Sequence, residues 1–261
     1  MKQVPDTSAA IKVKADGSGV DTEGLEFVIS PYDEYAIEEA LRIKEKLAGS
    51  EVVVFSLGPE RVTKALRSGL ALGADKAVHL CDAAFDGGDS LATARALAAA
   101  LKKAGPFDLI LAGREASDDG MSAVGAAIAE FLGIPQASEV KKLELAADGK
   151  TAVCYSEVEG GTAVVEIALP AVVTAQKGLN EPRYASLKGI MAAKKKELST
   201  LTAADLGLGA DSVGKAGSKI EILKLEPPPQ KQTAGKILKD LEAGPAAQEL
   251  VRLLREEAKA V

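Results

Sequence analysis

The sequence predicts a doubly wound α/β fold: a mainly parallel sheet with helices on both faces, an antiparallel hairpin addition and a C-terminal arm. Three observations carry that expectation. Runs such as "EVVVFSLGP" and "FDLILAG" are apolar at successive positions, so both faces of these strands must be covered. Amphipathic helical segments separate them, the alternation that builds parallel sheets. After residue 140 apolar and polar residues alternate around Gly160-Gly161, the pattern of an antiparallel hairpin followed by a further strand.

The elements follow in order from about residue 30. Ser30 before Pro31 reads as an N-cap with proline at the first helical position, and Asp33 and Glu34 suit the positive helix start. Ala36, Ile37, Ala40, Leu41 and Leu47 then mark an apolar helical face. "EVVVFSLGP" is a buried strand ended by Gly58-Pro59, "ERVTKALRSGLALGA" a helix, and "KAVHL" a strand. Residues 90–104 form an alanine-rich helix and "FDLILAG" another strand, with a helix expected from about Met121. "EPPPQKQTAG" at 226–235 is a proline-rich break. It divides an α/β domain over 1–225 from an arm over 226–261, whose helix carries Leu250, Val251, Leu253 and Leu254 on one side. Such a helix packs on a partner or back on its own domain. The opening "MKQVPDTS" has no apolar strand before it, although a doubly wound sheet normally begins with one. The start lies upstream, or the sheet has one strand fewer.

Composition narrows the function. The chain has 261 residues, is 47% hydrophobic and carries a net charge of -6, which argues against general nucleic-acid binding. No apolar run approaches the roughly 18 residues that cross a bilayer, so no membrane insertion is expected. Cys81 and Cys154 lie far apart without metal-ligand spacing, and His79 is the single histidine, so a structural zinc is not expected and a reducing cytoplasm is the natural compartment. No Ser-x-x-Lys, G-x-S-x-G or H-E-x-x-H motif is present, and His79 reads as a core or edge residue rather than a catalytic base. A binding protein is the better expectation than a hydrolase.

Ligands of open parallel sheets bind beyond the carboxyl ends of the strands. The loop after "FDLILAG" therefore draws attention: Gly113, Ala116, Ser117, Gly120, Ser122 and Gly125 are small enough to let a ligand approach the backbone. The helix after it offers free N–H groups to a phosphate, while Asp118 and Asp119 cap that helix or order the loop. The pattern is neither a Walker loop nor a G-x-G-x-x-G fingerprint, so a nucleotide site and a plain strand-to-helix turn both fit. A second feature is the basic strip "LNEPRYASLKGIMAAKKK" at 179–196, set in an acidic chain around one central leucine.

Five collinear stretches resemble the β subunit of electron transfer flavoproteins: "KQVPDT", "SPYDEYAIEEALRIKE", "LALGADKAVHL", "AGREASDDGMSAVG" and "LPAVVTAQKGLNEPRYASLKGIMAAKKK". The resemblance implies an adenine-nucleotide-binding fold and an αβ heterodimer that carries electrons from flavin dehydrogenases of the acyl-CoA dehydrogenase type to a membrane quinone oxidoreductase, a carrier rather than an enzyme in its own right. It implies FAD held mostly by the α subunit, and either one AMP buried in this subunit or, in electron-bifurcating members, a second FAD in its place. The AMP loop maps to Gly113, Arg114, Glu115, Ala116, Ser117, Asp118, Asp119, Gly120, Met121, Ser122, Ala123 and Val124, with Ser30, Pro31, Tyr32, Asp33 and Leu57 on neighbouring turns. Where relatives often have asparagine or threonine, this chain has Ser122, Ala123 and Val124, which leaves phosphate binding to backbone N–H groups and Ser122. Tyr32 and Thr7 match positions that approach the flavin ring.

The strip at 179–196 resembles the family's recognition loop, which implies that Leu187 enters an apolar pocket on the dehydrogenase beside Tyr184. Burying one leucine contributes roughly 1.5–3 kcal/mol, enough to orient a partner without trapping it. Arg183, Lys188 and Lys194 to Lys196 would steer an acidic partner. The competing reading makes Leu187 a core residue and the lysines a solvated face. Glu157 matches a glutamate that helps the flavin domain move, or is simply a hairpin-surface carboxylate. The arm is expected on the α subunit. A nucleotide-binding stress-type homodimer without a redox role is the alternative from another class, and it leaves "LNEPRY" unexplained.

Overall fold

The computed structural model describes residues 1–227 and 235–260, so most of the expected proline-rich break lies outside the described residues. In chain order the elements are β1 (Gln3–Pro5), β2 (Lys12–Val13), β3 (Val20–Asp21), β4 (Phe27–Ile29), α1 (Pro31–Lys46), β5 (Val53–Leu57), α2 (Val62–Leu72) and β6 (Lys76–Leu80). They continue with α3 (Ser90–Ala104), β7 (Leu109–Gly113), α4 (Val124–Leu132), β8 (Gln136–Leu145), β9 (Thr151–Val158), β10 (Gly161–Ala168) and β11 (Ala171–Ala175). Last come α5 (Leu187–Ala193), β12 (Leu198–Leu201), α6 (Gly214–Gly217) and α7 (Ala243–Glu256).

The parallel strands divide between two sheets. One runs β12-β6-β5, all parallel, and the other runs β10-β9-β8-β11-β7, in which β11 is parallel to both β8 and β7 while the β8-β9-β10 meander is antiparallel. The doubly wound arrangement is visible along single strands, because successive side chains of a strand point to opposite faces. Val54 and Ala77 pack with Ile37, Leu41, Leu66 and Leu70 of α1 and α2, whereas their neighbours Phe55 and Val78 pack with Ala94, Ala96 and Ala100 of α3 and Ile128 of α4. The alanines of α3 let that helix lie close to its neighbours. Phe55 and Phe107 meet edge to face with ring centroids 5.6 Å apart, joining the β5 edge of one sheet to the segment entering the β7 edge of the other. β11 is buried throughout and β7 is only half-buried, the difference expected between an inner strand and an edge.

Several expectations change in detail. Ser30 does precede α1, but its hydroxyl does not cap the helix: it is fully buried and has no partner. The Ser30 carbonyl instead accepts from the N–H groups of Asp33 and Glu34. Leu47, expected on the apolar face, sits just past the helix end and is exposed. The helix expected from Met121 starts at Val124, because Gly120 and Ser122 adopt left-handed backbone (φ 59° and 50°) that α-helix cannot accommodate. The hairpin turn is Glu159-Gly160, one residue earlier than the glycine pair suggested, with Gly160 at φ 76°. At the start of the chain β1 pairs antiparallel with β4 outside both main sheets. No helix among the described residues is long and apolar enough to cross a membrane.

Candidate functional site

The loop following β7 and the start of α1 are brought together by one carboxylate. Asp33 is buried, and it accepts from the N–H of Gly113 (2.8 Å) and the N–H of Lys2 (2.7 Å). It is a bracket between three segments rather than a free ligand group. Gly113 must be glycine here, since a Cβ would lie 2.8 Å from the Tyr32 Cβ and 2.9 Å from the Asp33 nitrogen. The Arg114 guanidinium sits 5.6 Å from the centre of the Tyr32 ring and binds Glu139 (2.7 Å) and Glu115 (3.1 Å). Burial raises the Glu115 carboxyl, but hydrogen bonds from Ser122 and Arg114 outweigh it and hold the group below its ordinary value. Asp119 accepts from the Met121 N–H, and Lys2 Nζ binds both Asp118 (2.6 Å) and Asp119 (2.8 Å). These two aspartates order the loop, and Lys2 offsets one of their two negative charges, which lessens the repulsion of a phosphate. Pro31 and Leu57 sit half-buried at the start of α1 and the end of β5, while Ser117 is exposed with the rest of the loop's outer turn and Ala116 accepts from the Gly120 N–H.

The residues present fit an adenine nucleotide in three respects. The helix α4 begins at Ala123 and Val124 with no side-chain cap, so its first N–H groups are available to a phosphate. Ser30 Oγ, Ser56 Oγ and Arg114 Nε are buried without a hydrogen-bond partner, and buried polar atoms ordinarily have one. Ala116 and Gly120 keep the outer turn of the loop approachable, whereas Gly113 is closed off by Tyr32 and Asp33. Thr7 stands apart in this respect: it lies exposed in the turn after β1, and no hydrogen bond joins it to Tyr32 among the described residues.

The basic strip is a rigid mount with an exposed crown. Asn180 donates to Tyr35 O and Glu39, and Arg183 makes bidentate contacts to buried Glu38 (2.7 and 3.1 Å) and to Glu45 (2.5 and 3.2 Å). Farther on, Arg67 donates to the carbonyls of Ala193 and Lys196, and Lys196 Nζ returns to the carbonyls of Leu70 and Ala74. Between these clamps α5 presses on α2 so closely that a Cβ on Gly189 would stand 2.3 Å from the Ala71 oxygen. Ser186 caps α5 through the Gly189 N–H. On this base Tyr184 is 98% exposed, Leu187 78% and Met191 58%, with Ile190 beside them. The core reading of Leu187 does not survive. Arg183 and Lys196 hold the strip to the domain, which leaves Lys188, Lys194 and Lys195 as its exposed cations.

Two residues not singled out in the sequence connect the parts. Gln176, the first residue after β11, donates to Glu157 (2.9 Å) and Glu139 (3.3 Å), so hydrogen bonds run from Arg114 through Glu139 and Gln176 to Glu157. Glu157 also binds Lys141 (2.5 Å), whose hydrogen bond is the main cause of its lowered pKa. Glu139 reaches this position through a bulge in β8 where its φ is 55°. Periodicity gives no signal for Glu139; the place of Gln176 at the carboxyl end of a parallel strand is the one hint.

Comparison with known proteins bears on these features. Residues 18–206 match the family described as the Electron transfer flavoprotein domain. The chain is 41% identical to an electron transfer flavoprotein subunit beta of Mycobacterium tuberculosis over 94% of this chain and 92% of that one. It is 44% identical to a protein of the same name from Syntrophomonas wolfei, over 91% and 87%. It is 36% identical to a caffeyl-CoA reductase-Etf complex subunit of Acetobacterium woodii, over 98% and 96%.

Proposed function

The chain belongs to the electron transfer flavoprotein family, as a β-subunit type member with an electron-carrying role, and on that footing we propose that it works as half of an αβ heterodimer shuttling electrons between flavin dehydrogenases and a membrane quinone oxidoreductase. The observation that carries this reading is Leu187: a large apolar side chain 78% exposed at the tip of a segment clamped at both ends. A protein with no visitor for that side chain gains nothing from holding it out. Acyl-CoA dehydrogenases are the partner class in view, docking briefly on Leu187, Tyr184 and Lys188. The flavin, when bound between the subunits, accepts and releases the electrons. This chain supplies the platform, the docking segment and, through Tyr32, one wall beside the flavin.

The loop 113–124 holds AMP, its phosphate on the N–H groups that open α4 and on Ser122 once its hydroxyl turns from Glu115. The AMP acts as a fold ligand, stabilising the subunit by mass action. Glu157, which pairs with Lys141 and ends the Arg114–Glu139–Gln176 chain of hydrogen bonds, exchanges that lysine for a cation of the moving flavin domain. Exposed apolar side chains at Val158, Val164 and Val165 of the hairpin, and at Ile220, Ile222, Leu223, Leu250 and Val251 toward the chain's end, form the surface for the α subunit. The helix α7 has no buried residue of its own, as an arm meant for a partner should. With free thiols at Cys81 and Cys154, the cytoplasm is the compartment that suits it.

Similarity to the reductase-complex subunit of Acetobacterium woodii supports a second reading, an electron-bifurcating member in which a second FAD takes the AMP position. Co-expression with an α subunit, denaturation of the purified complex and identification of the released nucleotides tests both. One FAD and one AMP per heterodimer is the expected result, and two FAD would establish the second reading. A colourless complex would overturn both.

A further inference from the structure

We propose that Glu60, His79 and Cys81 form a binding site for a borderline divalent cation of the zinc class, built from none of the residues assigned to the nucleotide loop or the docking strip. The ligand atoms of the three side chains all lie within 4.8 Å of one another. Cys81 Sγ and Glu60 Oε2 are 4.0 Å apart. A tetrahedral zinc with bonds of about 2.0–2.3 Å draws its ligand atoms to roughly 3.3–3.8 Å. Rotation of the exposed Glu60 side chain and a small movement of Cys81 supply the contraction.

The fold assembles this cluster from two neighbouring parallel strands. His79 lies in β6 and Cys81 just past its end, where its N–H still pairs with the Leu201 carbonyl, so the two side chains share a face of the sheet. Glu60 follows the Gly58-Pro59 turn that ends β5, and that turn is tied to β6 by the Gly58 N–H donating to the Leu80 carbonyl at 3.0 Å. The site therefore stands at the carboxyl ends of parallel strands, the end of such sheets where ligands collect.

The histidine supplies an independent indication. Its side chain is buried, and Nε2 lies 2.9 Å from the Gly58 carbonyl oxygen. A carbonyl can only accept, so Nε2 carries the proton toward Gly58, and Nδ1 is the ring nitrogen left to serve as a ligand. A ring nitrogen donating to a backbone carbonyl is the arrangement found around metal-bound histidines, where it fixes tautomer and orientation.

Nearby charge favours a cation. Glu60 is in no ion pair among the described residues, and Asp82 and Asp86 add negative charge around Cys81. Asp82 is not a fourth ligand: one of its oxygens accepts from Ala84 N–H and the other from Ala203 N–H. The donor set is one imidazole, one thiolate and one carboxylate, which suits zinc rather than calcium or magnesium and leaves a position for water. On binding, Cys81 gives its thiol proton to solvent and the Cys81–metal bond forms. The expectation of no structural zinc rested on the distance between the cysteines and on the single histidine; the proposed cluster uses one cysteine and that histidine and closes through a glutamate from the turn after β5.

The test uses the full chain co-expressed with its α subunit, stripped with a chelator and titrated with Zn2+ against a chromophoric competitor. One zinc per chain is expected. Cys81→Ser and Glu60→Gln should each weaken binding, the cysteine by more than the roughly 10–100-fold that loss of an outer-shell partner costs. Both positions are at or near the surface, so flavin content serves as the measure that folding is intact. With Co2+ as the probe, a near-ultraviolet thiolate-to-metal band should appear in the parent and vanish in Cys81→Ser. Absence of stoichiometric zinc, or zinc affinity unchanged in both variants, would overturn the proposal.

Discussion

Replacing Leu187 with alanine should slow dehydrogenase-dependent flavin reduction by about 10–100-fold at limiting partner, the factor corresponding to losing most of one buried leucine's roughly 1.5–3 kcal/mol. Heat stability and FAD content should stay close to the parent. The reason lies in the exposure of the side chain: at 78% exposed it contributes little to this subunit's own packing, so nothing inside the chain is lost with it. The adjoining lysines act differently. Lys188, Lys194 and Lys195 are exposed and engage no carboxylate among the described residues, so their part is long-range attraction that salt screens. Leu187→Ala should therefore keep the parent's salt dependence at a lower rate, whereas removing the three lysines together should flatten it. Stopped-flow reduction at several ionic strengths separates the two effects.

Arg183→Ala should damage the mount instead of the crown. Glu38 is buried, with a side chain 5% exposed, and it receives both the Arg183 guanidinium and the Arg183 backbone N–H. Removing the guanidinium leaves a buried carboxylate with Arg42 as its remaining charged partner, 3.1 Å away. Breaking a buried pair in this way costs on the order of 3 kcal/mol. For a chain of this size that corresponds to a fall of roughly 6–12 °C in melting temperature. Docking should fall as well, because only the Asn180 side chain and the backbone N–H of residue 183 then hold the front of the strip to α1. Lysine should restore little, since it cannot reproduce two bidentate contacts from one planar group. Differential scanning calorimetry of the heterodimer checks the stability change, and an unchanged melting temperature would show that the pair is incidental.

Arg183 also shows where sequence reading stops. It was expected among the steering cations because it stands in a basic strip, but charge counting along the chain cannot reveal that Glu38 and Glu45, one α1 face away in space, neutralise it. The elements that were legible are those with strong local signals. α1, α2, α3, β5, β6 and β7 have apolar runs or helical spacing that burial alone explains. β8 gives no clear signal because bulges break the alternation of "QASEVKKLEL", although Ala137, Val140, Leu143 and Leu145 turn toward the core. β12 and β1 to β4 are too short for a period to register. The nucleotide loop could be located from its position after a parallel strand and its small residues. Its internal wiring could not, since Lys2 meets Asp118 and Asp119 from the far end of the chain, and Glu139 and Gln176 meet through two different strands.

The most direct test of Leu187 as a docking plug is to replace it with a photo-crosslinking amino acid, Leu187→p-benzoylphenylalanine, and irradiate the heterodimer with a flavin dehydrogenase during turnover. The docking reading requires an adduct between residue 187 and the dehydrogenase, suppressed by excess unlabelled heterodimer. An adduct confined to the α subunit or to this chain, with none on the dehydrogenase, would contradict it.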